Sequence, residues 1–384
     1  MTPQQTLEYF EERRDAIVEL IREIVVIESP SHDVDRNKTV VLWIENEARK
    51  IALDLEIERV PAEGFGEHLI IRAFAGNTKP LMLLGHTDTV HPVGTNLLNP
   101  TRIDGDKFYG CGIFDMKANI VLMLEALRYF HVTETRPARP ITILLSCDEE
   151  VGSHTGRELV EREAALAEAC YIFEPSANGS VKTGRKGTGM YVVHAHGIPA
   201  HAGLEPEKGA NAILELARQI ERLQSLNNVS IGTSVNVCTA SGGTASNVIP
   251  ELAQCAVDVR FSTISEAVRI DEVIKNLESF DERVSIRIEG EINRPPMERT
   301  DSVVALFDKA RHIAASFDYE LNETQVGGAS DGNFVGALGV PVLDGLGIAG
   351  DGAHTLNEHI LVSDIAKRAT LVTRLMMEED TRLI

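Results

Sequence analysis

LMLLGHTDTV, residues 81–90, is an apolar run that ends in a cluster of polar residues, and it is the starting point for predicting the fold of the surrounding chain. A short continuous apolar run of this kind is typical of a buried strand. IVLMLEALRYF at 120–130 has a helical pattern, and ITILLS at 141–146 has the character of a second buried strand. Strand, helix and strand in this order predict an α/β unit around a largely parallel sheet.

Further segments on either side extend this pattern. HLIIRAF at 68–74 and CYIF at 170–173 are also short and apolar, and residues 5–27 carry apolar positions at helical spacing. The fold class that we predict for this part of the chain is therefore α/β, with a mostly parallel central sheet and flanking helices.

From Met190 the pattern changes to strand, helix, strand, strand, helix, strand. That order is the split β-α-β arrangement of ferredoxin-like α+β domains. It ends before Arg294-Pro295-Pro296, after which the α/β pattern resumes. The predicted organisation is an inserted domain within a first, discontinuous one: residues 184–294 within residues 1–183 and 295–384.

Composition limits the partners and the compartment. The net charge of −21 repels nucleic acid and anionic membranes, so neither is an expected partner. The five cysteines are an odd number without a C-x-x-C pair, which favours a reducing compartment over a disulfide framework. The N-terminus lacks a leader pattern, and no run approaches the ~18 apolar residues of a membrane span. We expect a cytoplasmic protein.

Two polar motifs have the residue types of a metal site. His86 and Asp88 stand two apart at the end of an apolar strand, so their side chains point to the same side. A metal-binding imidazole is usually oriented by a carboxylate on its other ring nitrogen, which suits Asp88. Asp115 follows a glycine-rich turn and precedes a helix. The alternatives are a polar surface turn for the first motif and a helix N-cap for Asp115.

Three further segments add carboxylates and an imidazole. Asp148, Glu149 and Glu150 are consecutive after an apolar strand, and they repel one another unless solvent or a cation compensates. Neighbours on an extended chain face opposite ways, so one of Glu149 and Glu150 can bind metal while the other reaches a water. Glu174 directly follows CYIF, and His354 lies in a loop after VPVLDG. A solvated turn and a surface histidine are the alternatives.

Most of these residues follow the carboxyl ends of predicted strands, where open α/β sheets place their ligand sites. Two imidazoles and three carboxylates suit zinc or its neighbours, and five ligands are too many for one tetrahedral ion. With one shared carboxylate they suit two ions about 3.5–4 Å apart, an arrangement used for hydrolysis.

An ordered set of motifs then resembles a known family: GHTDTV, GIFDMKAN, SCDEEVGS, FEPS, PAHAG, GGTASNVIP, DVRF, GGASDGNF and AHTLNE. It is similar to the dinuclear zinc metallopeptidase family of glutamate carboxypeptidase, aminoacylase, acetylornithine deacetylase and succinyl-diaminopimelate desuccinylase. Within this family it most resembles glutamate carboxypeptidase. The matching segments run from about residue 83 to residue 362.

The resemblance assigns the metal ligands. It implies that Asp115 bridges two divalent ions, that His86 and Glu174 complete one site, and that Glu150 and His354 complete the other. Zinc is the expected ion, with cobalt or manganese as alternatives.

The resemblance also implies residues that act beside the metals. Glu149 would be the general base and Asp88 the partner of His86, and the peptide after Asp115 would be cis. The inserted domain would mediate homodimerisation, and His201 in PAHAG would reach the active site of the partner subunit to stabilise an oxyanion.

Candidate substrate contacts come from the same resemblance. Asn247 in GGTASNVIP and Arg260 in DVRF match substrate-contacting positions, and Arg294 resembles an arginine near the end of the inserted domain of glutamate carboxypeptidase. Lys182 stands eight residues after Glu174, as a lysine does in that enzyme. The alternatives are a strand-surface arginine for Arg260 and a solvated loop lysine for Lys182.

The family more often has DMKGG where this chain has DMKAN, so Asn119 is a departure. We expect it to change packing only.

The expected function is metal-dependent hydrolysis of the amide or peptide bond to a C-terminal amino acid, with glutamate suggested, in a small peptide or N-acyl amino acid. Glutamate at position 174 favours carboxypeptidases and deacylases over aminopeptidases. Cys111 and Cys147 lie beside the metal motifs without a basic partner of their own, which argues against a cysteine nucleophile. The alternatives are a di- or tripeptide aminopeptidase and a non-catalytic dimeric binding protein of the same fold.

Overall fold

The computed structural model describes residues 1–378, which form two compact units. The first unit contains Met1–Thr183, Arg299–Gln325 and the chain from Ser330 onward. The second contains Gly184–Glu298 and Val326–Ala329. Residues 379–384, which the sequence places at the end of the first domain, lie outside the described residues.

The N-terminal part of the first unit alternates helices and strands. Its helices are α1 (Pro3–Val25), α2 (Val34–Arg49), α3 (Thr95–Leu98), α4 (Ala118–Val132) and α5 (Arg157–Leu166). Its strands are β1 (Leu55–Ala62), β2 (Gly66–Ala73), β3 (Leu81–His86), β4 (Arg102–Asp104), β5 (Lys107–Tyr109), β6 (Ile141–Ser146) and β7 (Ala169–Ile172). A further strand, β8 (Val181–Arg185), contains the passage into the second unit.

The second unit has the element order that its sequence predicts, with a short two-stranded ribbon added. Its strands are β9 (Gly187–His196), β10 (Ala200–His201), β11 (Ser234–Gly242), β12 (Val248–Ile249), β13 (Leu252–Phe261) and β14 (Ser285–Arg294). Its helices are α6 (Ala212–Gln224) and α7 (Ile264–Lys275).

The chain then completes the first unit, apart from Val326–Ala329, which belong to the second. Here lie the helices α8 (Asp301–Ala315), α9 (Gly332–Ala337) and α10 (Ile365–Met377). The strands are β15 (Glu323–Val326), β16 (Val342–Leu343), β17 (Gly350–Asp351) and β18 (His359–Leu361).

The central sheet of the first unit has six strands in the order β1-β2-β6-β3-β7-β16. Strands β6, β3, β7 and β16 are parallel, and β1 and β2 are antiparallel at one edge. All residues of β3 and β6 are buried, as expected for parallel strands that are covered on both faces. The mostly parallel α/β fold is thus confirmed.

One core stabilises the first unit. Helix α1 contributes Phe10, Ile17, Ile21 and Ile24 to it, all fully buried. Helix α4 is apolar on nearly all sides and is buried along most of its length, as expected for a central helix. Among the described helices, none combines the length and the apolarity that crossing a bilayer requires.

The second unit has its own core beneath a four-stranded antiparallel sheet of order β11-β13-β9-β14. This is the strand order of a ferredoxin-like unit. Along β9, Tyr191, Val193 and Ala195 are buried, whereas Met190 and His196 on the opposite face are exposed. The period of two explains this alternation.

Candidate active site

The strand register brings the predicted polar residues of the first unit to one edge of its sheet. His86, the last residue of β3, lies opposite Ser146, the last residue of β6. Strand β7 is in register with β3 up to Leu84 and Ile172. Since these strands are parallel, the residues that follow them, including Glu149, Glu150 and Glu174, leave the sheet at the same edge.

Asp115 lies between two imidazoles. Its Oδ1 is 3.1 Å from Nε2 of His86, and its Oδ2 is 3.3 Å from Nε2 of His354. On the first side, Glu174 Oε1 lies 3.6 Å from the same His86 nitrogen. On the second side, Glu150 Oε2 lies 3.2 Å from the His354 nitrogen. The structure therefore brings all five predicted ligands together, with one carboxylate facing two separate imidazole–carboxylate pairs.

The loop that carries Asp115 has an irregular backbone. Gly112 has φ +70°, and a Cβ there would lie 2.5 Å from Cγ2 of Thr89, so only glycine fits without a shift. The Asp115–Met116 peptide is cis, as the family resemblance predicts. The strand that leads to His86 also contacts this loop, because the His86 N–H points to Sδ of Met116 at 3.2 Å.

His354 is held in an unusual backbone conformation at the opposite side of Asp115. Its φ of +65° is in the left-handed region, which costs a non-glycine residue free energy and persists only where the surrounding structure holds it. About half of its side chain is exposed. Of the two predicted histidine ligands, His354 is therefore the accessible one, whereas His86 is buried.

The site concentrates negative charge that cations must balance. Burial alone would raise the pKa of Asp115, but hydrogen bonds with His354 and His86 lower it well below its usual range. Hydrogen bonds with Asp115 and Glu150 raise the pKa of His354 to about 10. Burial raises the pKa of Glu150 despite its contact with His354. The raised pKa values of His354 and Glu150 favour their protonated forms, so protons offset the negative charge that a divalent cation would otherwise balance.

The donor set fits divalent ions. The ligand atoms of His86, Asp115 and Glu150 lie within 4.8 Å of one another, and so do those of His86, Glu149 and Glu174. Oε1 of Glu150 is buried and has no hydrogen-bond partner among the described residues, a costly state that a metal ion would relieve. Imidazole and carboxylate donors suit zinc, cobalt and manganese.

Asp88 connects the two motifs at the ends of β3 and β6. Its carboxylate accepts the N–H groups of Glu149 at 3.2 Å and Glu150 at 3.1 Å, and the hydroxyl of Ser31 at 2.7 Å. Its Oδ1 is 3.4 Å from Nδ1 of His86, and its backbone oxygen is closer, at 3.0 Å. Asp88 therefore contacts the imidazole and also fixes the backbone of the two glutamates.

Burial disfavours the reactive form of two cysteines near the site. Burial raises the pKa of Cys111 and of Cys147 above the usual range of a cysteine. This shift disfavours the thiolate, which is the reactive form of a cysteine. Cys147 instead contributes its backbone N–H, which donates to Nδ1 of buried His68 at 3.1 Å.

Four of the predicted catalytic and substrate-contacting residues lie in the second unit. His201 in β10 is paired with Val248 in β12, next to Asn247, whose backbone oxygen accepts from Ala202 at 2.9 Å. The imidazole of His201 is exposed, and its Nδ1 accepts the backbone N–H of Gly203 at 3.1 Å.

Arg260 and Arg294 lie on the two strands that flank β9, both opposite Thr188 in the register. Directly paired residues of an antiparallel sheet share a face, so the two arginines are on the same side. Arg260 is half-buried and makes a bidentate contact with Asp258, and Arg294 is buried. Lys182 belongs to the first unit; it is buried, and its N–H donates to the backbone oxygen of Asp344.

Asn119 does more than change packing, so that expectation was wrong. Its fully buried amide donates to the backbone oxygens of Phe114 at 3.3 Å and Phe173 at 2.8 Å, and accepts the N–H of Ile348 at 3.0 Å. It thereby joins the segments that carry Asp115 and Glu174. Its position in DMKAN was the only sequence signal.

Sequence reasoning missed Glu358 and Ser31 as well. Glu358, the last residue of AHTLNE, is buried and accepts backbone N–H groups of the Asp115 loop. The motif as a whole matched the family, but nothing in its residues predicted that Glu358 is buried rather than exposed to solvent.

Comparison with known proteins agrees with this geometry. Residues 82–378 match the model of peptidase family M20/M25/M40, and the chain belongs to that family. It is therefore a hydrolase of a metallopeptidase family that uses divalent metal ions.

Among curated relatives, carboxypeptidase G2 of Pseudomonas sp. (strain RS-16) is 28% identical over 376 residues, covering 96% of this chain and 90% of that protein. Succinyl-diaminopimelate desuccinylase of Methylococcus capsulatus is 28% identical over 354 residues, covering 84% and 92%. Among solved structures, aminopeptidase PepT from Bacillus cereus ATCC 10987 superposes with a TM-score of 0.79 at 22% identity, covering 95% of this chain and 98% of that one. This last likeness concerns the fold.

Proposed function

We propose that this protein is a dinuclear metallohydrolase that cleaves the amide or peptide bond to a C-terminal amino acid. The observation that carries the proposal is Asp115, whose two oxygens face His86 on one side and His354 on the other. Glu174 would complete the first site and Glu150 the second. Two ions, zinc in this proposal and replaceable by cobalt or manganese, would supply Lewis-acid polarisation of the carbonyl and would acidify water.

Glu149 is the proposed general base. It is nearly buried, and its N–H is held by Oδ1 of Asp88, so its backbone is fixed next to that of the ligand Glu150. A carboxylate in this place can accept a proton from the attacking water and later give it to the leaving amine. The nucleophile is water, and no covalent intermediate forms on the chain.

Two arginines support a substrate that carries a carboxylate. Arg260 and Arg294 lie on one face of the sheet, on the two strands that pair with β9 on either side of Thr188. Neighbouring strands in a sheet are about 4.8 Å apart. Guanidinium groups bind carboxylates in bidentate geometry. Arg260 already holds Asp258 in this way, so it would exchange one carboxylate partner for another. Lys182 is the proposed partner of a second carboxylate, as in a C-terminal glutamate.

The names of two relatives support this substrate class. One is a carboxypeptidase, and the other removes a succinyl group from an amine. Both names describe hydrolysis of an amide. We propose small peptides or N-acyl amino acids as substrates of this chain, with Asn247 as a further contact.

A homodimer is the proposed functional form. Residues 238–247, which include the end of the edge strand β11 and the loop after it, are all exposed. Ile213 and Leu214 on the adjacent helix α6 are also exposed. An uncovered edge strand beside apolar side chains suits a second copy of the chain. His201 would then act in the active site of the partner subunit, as an oxyanion donor.

The test is a hydrolysis assay with a panel of N-acyl amino acids and dipeptides. We expect the Zn²⁺-loaded or Co²⁺-loaded protein to release a C-terminal amino acid, and Glu149→Gln to lose roughly 10²- to 10⁴-fold in kcat while it keeps its metal. Arg260→Lys is the companion variant for the carboxylate contact, with an expected rise in KM. No release from any member of the panel by metal-loaded protein would refute the proposal, and a strict requirement for a free N-terminal amine would indicate an aminopeptidase instead.

A further inference from the structure

A buried carboxylate outside the ligand set binds the backbone of the Asp115 loop. Only 1% of Glu358 is exposed. Its Oε2 accepts the N–H of Gly112 at 2.8 Å, and its Oε1 accepts the N–H groups of Phe114 and Asp115, each at 2.9 Å. Three backbone donors of a four-residue segment thus converge on one side chain.

This segment has few other ways to satisfy its backbone. Asp115 and Met116 have non-helical backbone angles, and Gly112 is left-handed, so the regular hydrogen bonds of a helix are interrupted here. A buried N–H without a partner costs free energy. Glu358 supplies the acceptors, and hydrogen bonds to a charged acceptor are the stronger kind.

The same carboxylate also joins two other loops of the site. Nε2 of His91 donates to Oε2 of Glu358 at 2.7 Å, and His91 follows the motif of His86. Glu358 itself stands four residues after His354, and its backbone oxygen accepts the N–H of Gly110 at 3.2 Å. One side chain therefore meets the loops of three ligands: His86, Asp115 and His354.

We propose that Glu358 is a positioning residue that orients the Asp115 carboxylate for metal binding by fixing the backbone from Gly112 to Asp115. The inference depends on the proposed function, because it takes Asp115 to be the ligand shared by two ions. Glu358 does not touch substrate or metal in this assignment, and its effect passes through the loop.

Glu358→Gln is the decisive variant, because glutamine has the same shape. Its single amide oxygen can accept from Phe114 and Asp115, but its NH₂ group would then face the N–H of Gly112 and the donor of His91. Donors that face each other force the loop to move. Glu358→Asp keeps the charge on a shorter side chain, so it should restore part of the function.

A matched control separates positioning from ordinary stability. Glu215 in the second unit is equally buried, and its carboxylate accepts the backbone N–H groups of Phe280 at 3.0 Å and Asp281 at 3.1 Å. Glu215→Gln should lower the melting temperature as Glu358→Gln does, because both leave buried donors poorly satisfied. It should leave metal affinity unchanged.

The experiment measures Zn²⁺ content after equilibrium dialysis at a series of free Zn²⁺ concentrations, together with the visible absorption of Co²⁺-loaded protein. We expect Glu358→Gln to bind the ions on the order of 10- to 100-fold more weakly than wild type, the loss typical of residues that support metal ligands. The Co²⁺ spectrum should change, kcat should fall more than KM rises, and Glu358→Asp should lie between Glu358→Gln and wild type.

Wild-type metal affinity and an unchanged Co²⁺ spectrum in Glu358→Gln would overturn the positioning role while leaving the proposed function intact. Equal losses of metal affinity in Glu215→Gln would overturn it too, since they would reflect general destabilisation. If Glu358→Gln does not fold, Glu358→Asp decides by the same measurements. A wild-type protein that binds no divalent ion would instead refute the proposed function, and this inference with it.

Discussion

Asp88 shows how one side chain can serve two motifs. Sequence spacing suggested that it orients His86, and the structure places its carboxylate 3.4 Å from that imidazole. It also binds the N–H groups of Glu149 and Glu150, a role that spacing along the chain could not suggest. The proposed base and one proposed ligand therefore depend on the same carboxylate as His86.

Asp88→Asn should reduce kcat and weaken metal binding by roughly 10- to 100-fold, because an amide presents one acceptor oxygen and one donor to two N–H donors. Ser31→Ala removes only the hydroxyl that donates to Asp88 and should have a smaller effect in the same direction. Kinetics and metal titration of the two variants check this. An Asp88→Asn protein with wild-type values would contradict the bridging role.

Asn119→Ala should also weaken the site, because it removes three hydrogen bonds to the backbone at Phe114, Phe173 and Ile348. We expect a loss of unfolding free energy of about 2–4 kcal/mol, from three hydrogen bonds of about 1 kcal/mol each and the cavity that remains. Chemical denaturation checks the stability. Asn119→Gly, which approaches the family's DMKGG, should be no more stable than Asn119→Ala. A variant as stable as wild type would show that these hydrogen bonds do not contribute to stability and that Asn119 only fills space.

At the scale of elements, the irregular turn before α4 carries Asp115, the proposed central ligand of the site. Regular helical geometry does not place Asp115, because Asp115 and Met116 have non-helical backbone angles. Gly112 adopts a left-handed conformation in this turn, and Glu358 accepts its backbone N–H. The sequence signals this element only through its glycines.

Gly112→Ala should destabilise the protein and weaken metal binding. The matched control is Gly105→Ala, which has a similar left-handed φ of +58° but open space where its Cβ would be. The left-handed conformation costs each variant roughly 1–2 kcal/mol. The overlap with Cγ2 of Thr89 adds a further cost only at Gly112.

Denaturation of both glycine variants measures the difference between them. In the double variant Gly112→Ala/Thr89→Ser the overlapping methyl group is absent, and we expect it to recover stability toward that of Gly105→Ala. Equal stability of the two single variants would show that the contact with Thr89 does not restrict the turn.

At the scale of the whole molecule, the charge distribution connects metal binding with stability. The chain carries a net charge of −21, and three of its carboxylates, Asp115, Glu150 and Glu174, lie close together in the site. Divalent ions that bind only the folded state stabilise it, by about 2.7 kcal/mol for an ion at 100 times its dissociation constant.

A chelator should therefore lower the melting temperature of the metal-loaded protein, and Zn²⁺ should restore it. Glu149→Gln should keep this response, because Glu149 is the proposed base. Glu150→Gln and His354→Gln should reduce it, because each would remove one ligand. Differential scanning fluorimetry with metal analysis checks the series. A wild-type protein whose melting temperature is the same with and without chelator would contradict metal-linked stability.

The local pattern of the chain was enough to predict much of this molecule. Apolar runs predicted the buried strands β3, β6 and β7, because burial on both faces demands uninterrupted apolar residues. Residue type and position near strand ends indicated His86, Asp115, Glu174, His354 and one of Glu149 and Glu150, since parallel strands end at a common edge. The family resemblance then implied Glu150 as the ligand.

The contacts that hold these residues arise only when distant segments meet. Asp88 and Glu358 accept backbone N–H groups from loops that are far apart in the sequence. Asn119 joins distant segments in the same way through three hydrogen bonds. Periodicity and spacing describe neighbours along one element, so they carry no information about such partners. The chemical identity of the site could therefore be predicted from local patterns, whereas its geometry and support depend on tertiary packing.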